Sequence, residues 1–208
     1  MEFTEQDYEN RKNFVKGLFS LGGLSESGKS AAGIYFDSIG IKRMKIIAVE
    51  KEMMIERNYQ FSGHPSEQDF TNLYAKDTEK VFKEFLYRLI GKMQDENIHY
   101  ASIESLYRSE LGVYLKKELG SKMMNIYIEA PLEVRAQREY KKQTIDNGKD
   151  FTFDEIVERT KKKDQFKIKH GALKVKDIAD IIVNNDSFVE NEKQYLNIMA
   201  GLASIIKK

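Results

Sequence analysis

Between residues 18 and 36 the chain reads LFSLGGLSESGKSAAGIYF, an apolar run that breaks into small residues and resumes with helical spacing after a lysine. Gly23, Gly28, Lys29 and Ser30 satisfy the spacing G-x-x-x-x-G-K-[ST] in full. The chemistry this stretch suits is phosphate binding. Phosphate oxygens need several converging donors. A loop of small residues lets successive backbone N–H groups turn inward, and the helix that follows offers its positive end. Gly23, Ser25, Glu26, Ser27, Gly28, Lys29, Ser30 and Ala31 therefore form the candidate cradle. Lys29 is the mobile charge for the β- and γ-phosphates of a nucleotide such as ATP, and the Ser30 hydroxyl is a ligand for Mg²⁺. The competing reading is an ordinary strand-to-helix loop, which the full pattern and its strand-before, helix-after setting disfavour.

Further charge stands where other apolar runs end. In IHYASIESLYRSE, Glu104 closes the third run, with Arg108 and Glu110 just beyond. A carboxylate there can hold a metal-bound water or orient an acceptor. Its bland alternative is a buried acid paired with Arg108. The aspartate usual at a Walker B position is absent. In YIEAPLEVRAQREYKK, Arg135 and Arg138 are three apart and share a helical face. Two planar guanidiniums suit the charge that spreads over a phosphoryl group in transfer. The alternative is a solvated basic helix paired with Glu133 and Glu139. Arg57 follows the second run and can reach an acceptor phosphate, or else lies on the surface. His64 and the lysine run 161–163 read as solvated polar surface.

The elements that must carry these groups alternate. Apolar runs suited to buried strands fall at 14–21, 44–49, 98–103, 123–128 and 178–183. After the first, Ala31, Ile34, Tyr35 and Ile39 recur at helical intervals until Gly40. The interval 51–94 contains the polar loop FSGHPSEQDF, which predicts two helical pieces. A helix over 109–119 should end at Gly120, and another should start with Pro131 at its first position. Thr152 and Glu155 have the spacing of a reciprocal cap. A final helix is expected from Val189 to Ile206. Strands alternating with helices predict an α/β fold, a doubly wound parallel five-stranded sheet with helices on both faces and loops gathered at one edge.

At 208 residues the chain reads as one domain, residues 1–208, able to bury its own core. The balance of 34 basic and 33 acidic residues, net charge +1, supplies no field that implies nucleic acid or an anionic membrane. There is no cysteine, hence no disulfide or thiolate metal site. The charged start MEFTEQDYENRKN lacks the apolar stretch of a secretory signal, and no apolar run approaches a membrane span. A cytoplasmic protein is the expectation.

Gly23 to Ser30, the arginine pair after YIEAP, and DIADIIVNND at 177–186 together resemble the P-loop nucleoside monophosphate kinase group, which includes adenylate kinase and dephospho-CoA kinase. In that group a late strand, here Ala179 to Asn184, precedes a final helix. SIESLYRSELGVYLKK and KKDQFKIKHGALKVKDIAD are also similar to an uncharacterised, mainly archaeal branch of adenylate-kinase-like proteins, in which an arginine and an acid follow the third strand, as Arg108 and Glu110 do here. The resemblance covers about residues 14 to 200, with the phosphate loop its specific motif. It implies a P-loop NTPase fold, ATP and Mg²⁺ as cofactors, a helical acceptor region at about 51–95, and a lid at about 132–170 carrying Arg135 and Arg138. Adenylate kinases place an Asp and an Arg three apart after strand two, whereas Glu50 and Arg57 are seven apart here. The expected activity is phosphoryl transfer from ATP to a small nucleotide-like acceptor, bound by Arg57, Glu104 and Arg108 and catalysed with Lys29, Arg135, Arg138 and Glu104. An ATP sensor without transfer is the alternative.

Overall fold

Every residue of β1 (Gly17–Gly22) is buried, as a central strand covered on both faces must be. In this computed structural model, which describes residues 3–186 and 192–206, β1 lies between β3 (Tyr100–Leu106) and β4 (Met123–Glu129). The short strands β2 (Lys42–Lys45) and β5 (Ile181–Asn184) form the edges, giving the order β2-β3-β1-β4-β5 with every pair parallel. This is the doubly wound α/β sheet that the alternation predicts.

Alternate side chains of β1 serve two cores, as the period of two in a strand requires. Leu18 points into a layer with α1 (Glu5–Phe14), α3 (Ile46–Glu56), α5 (Thr78–Asp95) and α6 (Ser109–Leu119). Phe19 and Leu21 point into the other, with α2 (Lys29–Ser38) and α10 (Glu192–Ile206).

Several elements depart from expectation. Residues 46–49 are helical, not strand: α3 starts directly after β2, and Ile46, Val49, Met53 and Met54 are buried at helical spacing. Short apolar runs do not declare their period. The interval 51–94 holds three helical pieces rather than two, the end of α3 and two more, because Ser66 and Asp77 each cap a new start, at α4 (Glu67–Tyr74) and α5. The charged segment before β1 forms α1 behind an N-cap at Thr4 and takes in Phe14, so the strand opens at Gly17 and not at residue 14. On α2 the buried face is Ala32, Gly33 and Phe36, one position on from the expected stripe, and Ile34 is exposed. Pro131 caps α7 (Leu132–Tyr140) from outside instead of opening it. Ile178 caps a short α9 (Lys174–Asp177), so β5 opens three residues late.

Gly120 ends α6 at φ +59°, and Thr152 and Glu155 form the reciprocal cap of α8 (Phe153–Lys169). The expected start of the final helix at residue 189 lies outside the described residues. Among the described residues no helix is long and apolar enough to cross a membrane.

Candidate active site

The loop between β1 and α2 is held by its carbonyls. Lys29 Nζ donates to Leu24 O. Arg135 Nη1 donates to Ser25 O at 3.1 Å and Arg138 Nη1 to Glu26 O at 3.1 Å. Asn185 Nδ2 donates to Ser27 O at 2.9 Å and the Tyr195 hydroxyl to Gly28 O at 2.9 Å. Consecutive peptide oxygens from 24 to 28 are thus each claimed by a side chain, four of them from α7, the end of β5 and α10. A peptide unit whose oxygen is fixed on one side has its N–H fixed too, which is the preorganisation an anion cradle needs. Gly28, at φ +113°, is required twice over: the left-handed backbone suits glycine, and a Cβ would lie 2.3 Å from Asn185 Nδ2. Glu26 holds φ +56° without being glycine, a cost typical of binding loops.

Lys29 is buried, and its ammonium also donates to Ser27 Oγ at 3.2 Å. Burial, aided by the charge of Lys167, pulls it down from the usual lysine range to about 7. A phosphate beside it would supply negative charge that favours the charged form.

Glu104, 3% exposed, is gripped at both carboxylate oxygens by Arg43 Nε and Nη2. Its expected alternative partner, Arg108, is therefore not the one the structure provides. Ser30 Oγ lies 3.4 Å from Glu104 Oε2. Gly33 admits this arrangement, since a Cβ there would stand 2.0 Å from Glu104 Oε1. Among the described residues no group of three or more acids and histidines gathers as a metal centre. A serine hydroxyl beside one carboxylate nevertheless fits Mg²⁺, which takes few protein oxygens and fills its shell with phosphate and water. The next residue, Ser105, sits at φ +69° where the β1–β3 register slips, a bulge that turns the strand end toward the loop.

A cavity of about 870 Å³ opens over the loop, lined by Ser25, Glu26, Gly28, Lys29, Ser30 and Ala31 from below. Ser105, Gln137, Arg138, Lys141, Lys142, Lys163, Phe166, Lys167, Asn185 and Tyr195 form its walls. Lys163 and Lys167 come from α8, and the first also pairs with Glu139. Burial lowers Lys167. The lysine run 161–163 reads as solvated surface in the sequence, yet Lys163 lines the cavity over the loop, as does Lys167. Burial likewise lowers Arg138.

The two arginines of α7 part company. Arg138 lines the cavity, whereas Arg135, 4% exposed, turns inward to Ser25 O, Ala130 O and Asp164. Arg108 stacks over Tyr74 at 4.0 Å, beside the fully buried Glu50, which accepts from the hydroxyls of Tyr74 at 2.6 Å and Tyr107 at 2.8 Å. Burial raises Glu50. Arg57 lies elsewhere, bonded to Glu84 at the far end of α3, so Glu50 and Arg57 do not act as a pair. Asp164, Asn185 and Tyr195 were missed in the sequence. Asn185 adjoins the late-strand motif, but Asp164 and Tyr195 carry no local signal.

No protein-family model and no curated protein matches the sequence. Among solved structures the chain is similar to a shikimate kinase from Bacteroides thetaiotaomicron, with 13% identity, a TM-score of 0.50, and 90% of this chain and 98% of that chain covered. It is similar as well to an uncharacterized protein from Eubacterium ventriosum, with 12% identity, a TM-score of 0.50, and 89% and 99% covered. At such identity the likeness is one of architecture, and it does not single out the adenylate kinase and dephospho-CoA kinase branch. The five-stranded parallel sheet, clothed by helices on both sides, is a P-loop kinase-like fold.

Proposed function

We propose that the protein transfers the γ-phosphoryl group of ATP·Mg²⁺ to a small anionic acceptor of nucleotide-like character. The observation that carries this reading is the loop at 23–30, its peptide oxygens held from outside and its lysine within, at the floor of a cation-walled cavity. Lys29 and the loop amides hold the donor phosphates. Ser30 and Glu104 would hold magnesium, which neutralises charge on the phosphates when bound. Arg138, Lys163 and Lys167 face the transferring group from above. The acceptor enters from the helical region at 51–95, past Ser105, Tyr107 and Arg108, and the segment 132–170 serves as the lid that excludes water. Cytoplasmic residence fits these substrates.

The test is ADP production from ATP·Mg²⁺ with a panel of acceptors: nucleoside monophosphates, dephospho-CoA and shikimate. Acceptor-dependent ADP that disappears in Lys29→Ala is the expected result; no rise with any acceptor, alongside intact ATP binding, would sink transfer to this class. One observation favours a second reading, a nucleotide sensor. Arg135, expected on a closing lid, is committed to Ser25 and Asp164. Arg138→Ala separates the two: a kinase loses turnover with little change in ATP affinity, and a sensor shows no turnover to lose.

A further inference from the structure

The cradle already holds an anion, and it belongs to the protein. Asp164, on α8 and 4% exposed, accepts the Ser25 N–H at Oδ1, 2.9 Å, and Arg135 Nη1 at Oδ2, 2.5 Å. Its charge also acts on Lys29 and Lys167. One carboxylate therefore accepts from a loop amide and from a guanidinium, two kinds of donor that also suit a phosphate. Ser25 is an early residue of the loop, whereas the α- and β-phosphates of a nucleotide are cradled by backbone amides and Lys29 reaches out to the β- and γ-phosphates. A phosphate that reaches Lys29 enters the field of Asp164, and two anions cannot share these donors without mutual repulsion.

Resting on the nucleotide-binding reading above, we propose that Asp164 is a specificity-determining residue for the donor: a resident carboxylate in the terminal-phosphate position that a nucleoside triphosphate displaces and a diphosphate does not. A triphosphate brings a doubly charged terminal group to exchange, anion for anion, at Ser25 N–H and Arg135. Arg135 then passes from Asp164 to the phosphoryl group. A diphosphate leaves Asp164 in place and binds against its charge.

Titration calorimetry with MgATP and MgADP tests this on the wild-type chain, Asp164→Asn and Lys29→Ala. The wild type should prefer MgATP by about tenfold, the scale of one such charge interaction. Asp164→Asn keeps an acceptor for Ser25 N–H and should tighten MgADP by several fold, bringing the ratio toward one. An unchanged ratio in that variant overturns the inference, as does weaker binding of both nucleotides, which would make Asp164 a support of the loop. Thermal unfolding checks the variant's fold, and Asp164→Ser repeats the reading with a smaller side chain. If neither variant folds, the wild type alone decides, since equal affinity for the two nucleotides overturns the inference. Absence of nucleotide binding to the wild type overturns the proposed function, and this inference with it.

Discussion

Lys29 serves the loop at a cost to the fold. Its folded pKa lies near 7, against an ordinary 10.5, so between those values the folded chain holds fewer protons than the unfolded one. Stability then rises with pH from about 7 to about 10.5, and below 7 the buried charge is fully felt. A Lys29→Met chain lacks this dependence. Its unfolding midpoint in urea should exceed that of the wild type at pH 6, and the gap should shrink by pH 9. A gap constant with pH would show that Lys29 is not depressed. On the proposed function, nucleotide binding would restore the ammonium, so at pH 8 it should take up a proton, read as a calorimetric enthalpy that varies with the buffer's ionisation heat. Gly33 makes a second point at this scale. Adding a methyl 2.0 Å from Glu104 Oε1 moves the carboxylate beside Ser30, so Gly33→Ala should raise the magnesium concentration needed for turnover while leaving metal-free nucleotide binding unchanged.

The helix α8 is one element with two duties. Ile156, Thr160 and Asp164, four residues apart, are its buried line, and Lys163 and Lys167, also four apart, line the cavity. The register that buries one line aims the other. Its start is held by the reciprocal cap, with Thr152 N donating to Glu155 at 2.8 Å and Glu155 N to Thr152 at 3.3 Å. Thr152→Ala should cost about 1 kcal/mol, the usual worth of such a cap. Hydrogen exchange should quicken first in the opening turn of α8; uniform loss of protection along the chain would show that the cap supports the whole fold instead. The end of β3 is the other active element. It presents Glu104 and then the bulged Ser105 within two residues, so a single irregularity sets both groups against the loop.

The whole molecule is two cores sharing one sheet, and the loop leaves the sheet at the C-terminal end of β1, where parallel strands place their ligands. The layer containing α1 is closed by Tyr8, whose hydroxyl meets that of Tyr114 at 2.9 Å, and Phe3 stacks on Tyr87 beside it. Tyr8 does not line the cavity. Tyr8→Ala should therefore cost about 3 kcal/mol, a large part of a domain's usual margin of about 5–15 kcal/mol. In the folded fraction nucleotide affinity should stay as in the wild type. A parallel loss of affinity would show that α1 and the loop are coupled through the sheet.

Alternation, the loop motif, the stop at Gly120 and the cap at Thr152 were all legible in the sequence, because each rests on interactions within a few residues or on the strict periods of helix and strand. Where short apolar runs served two periods equally, as at residues 46–49, packing alone made the choice. The loop's position was readable, but its supports were not. Asp164 stands 139 residues from Ser25, Asn185 158 from Ser27 and Tyr195 167 from Gly28. Arg43 rather than Arg108 holds Glu104, and Arg135 faces inward while Arg138 faces the cavity. A side chain's type and spacing determine what it can bond and which helical face it occupies. Which partner it meets depends on how distant segments converge at the sheet edge, and that is decided only when the two cores close on the sheet.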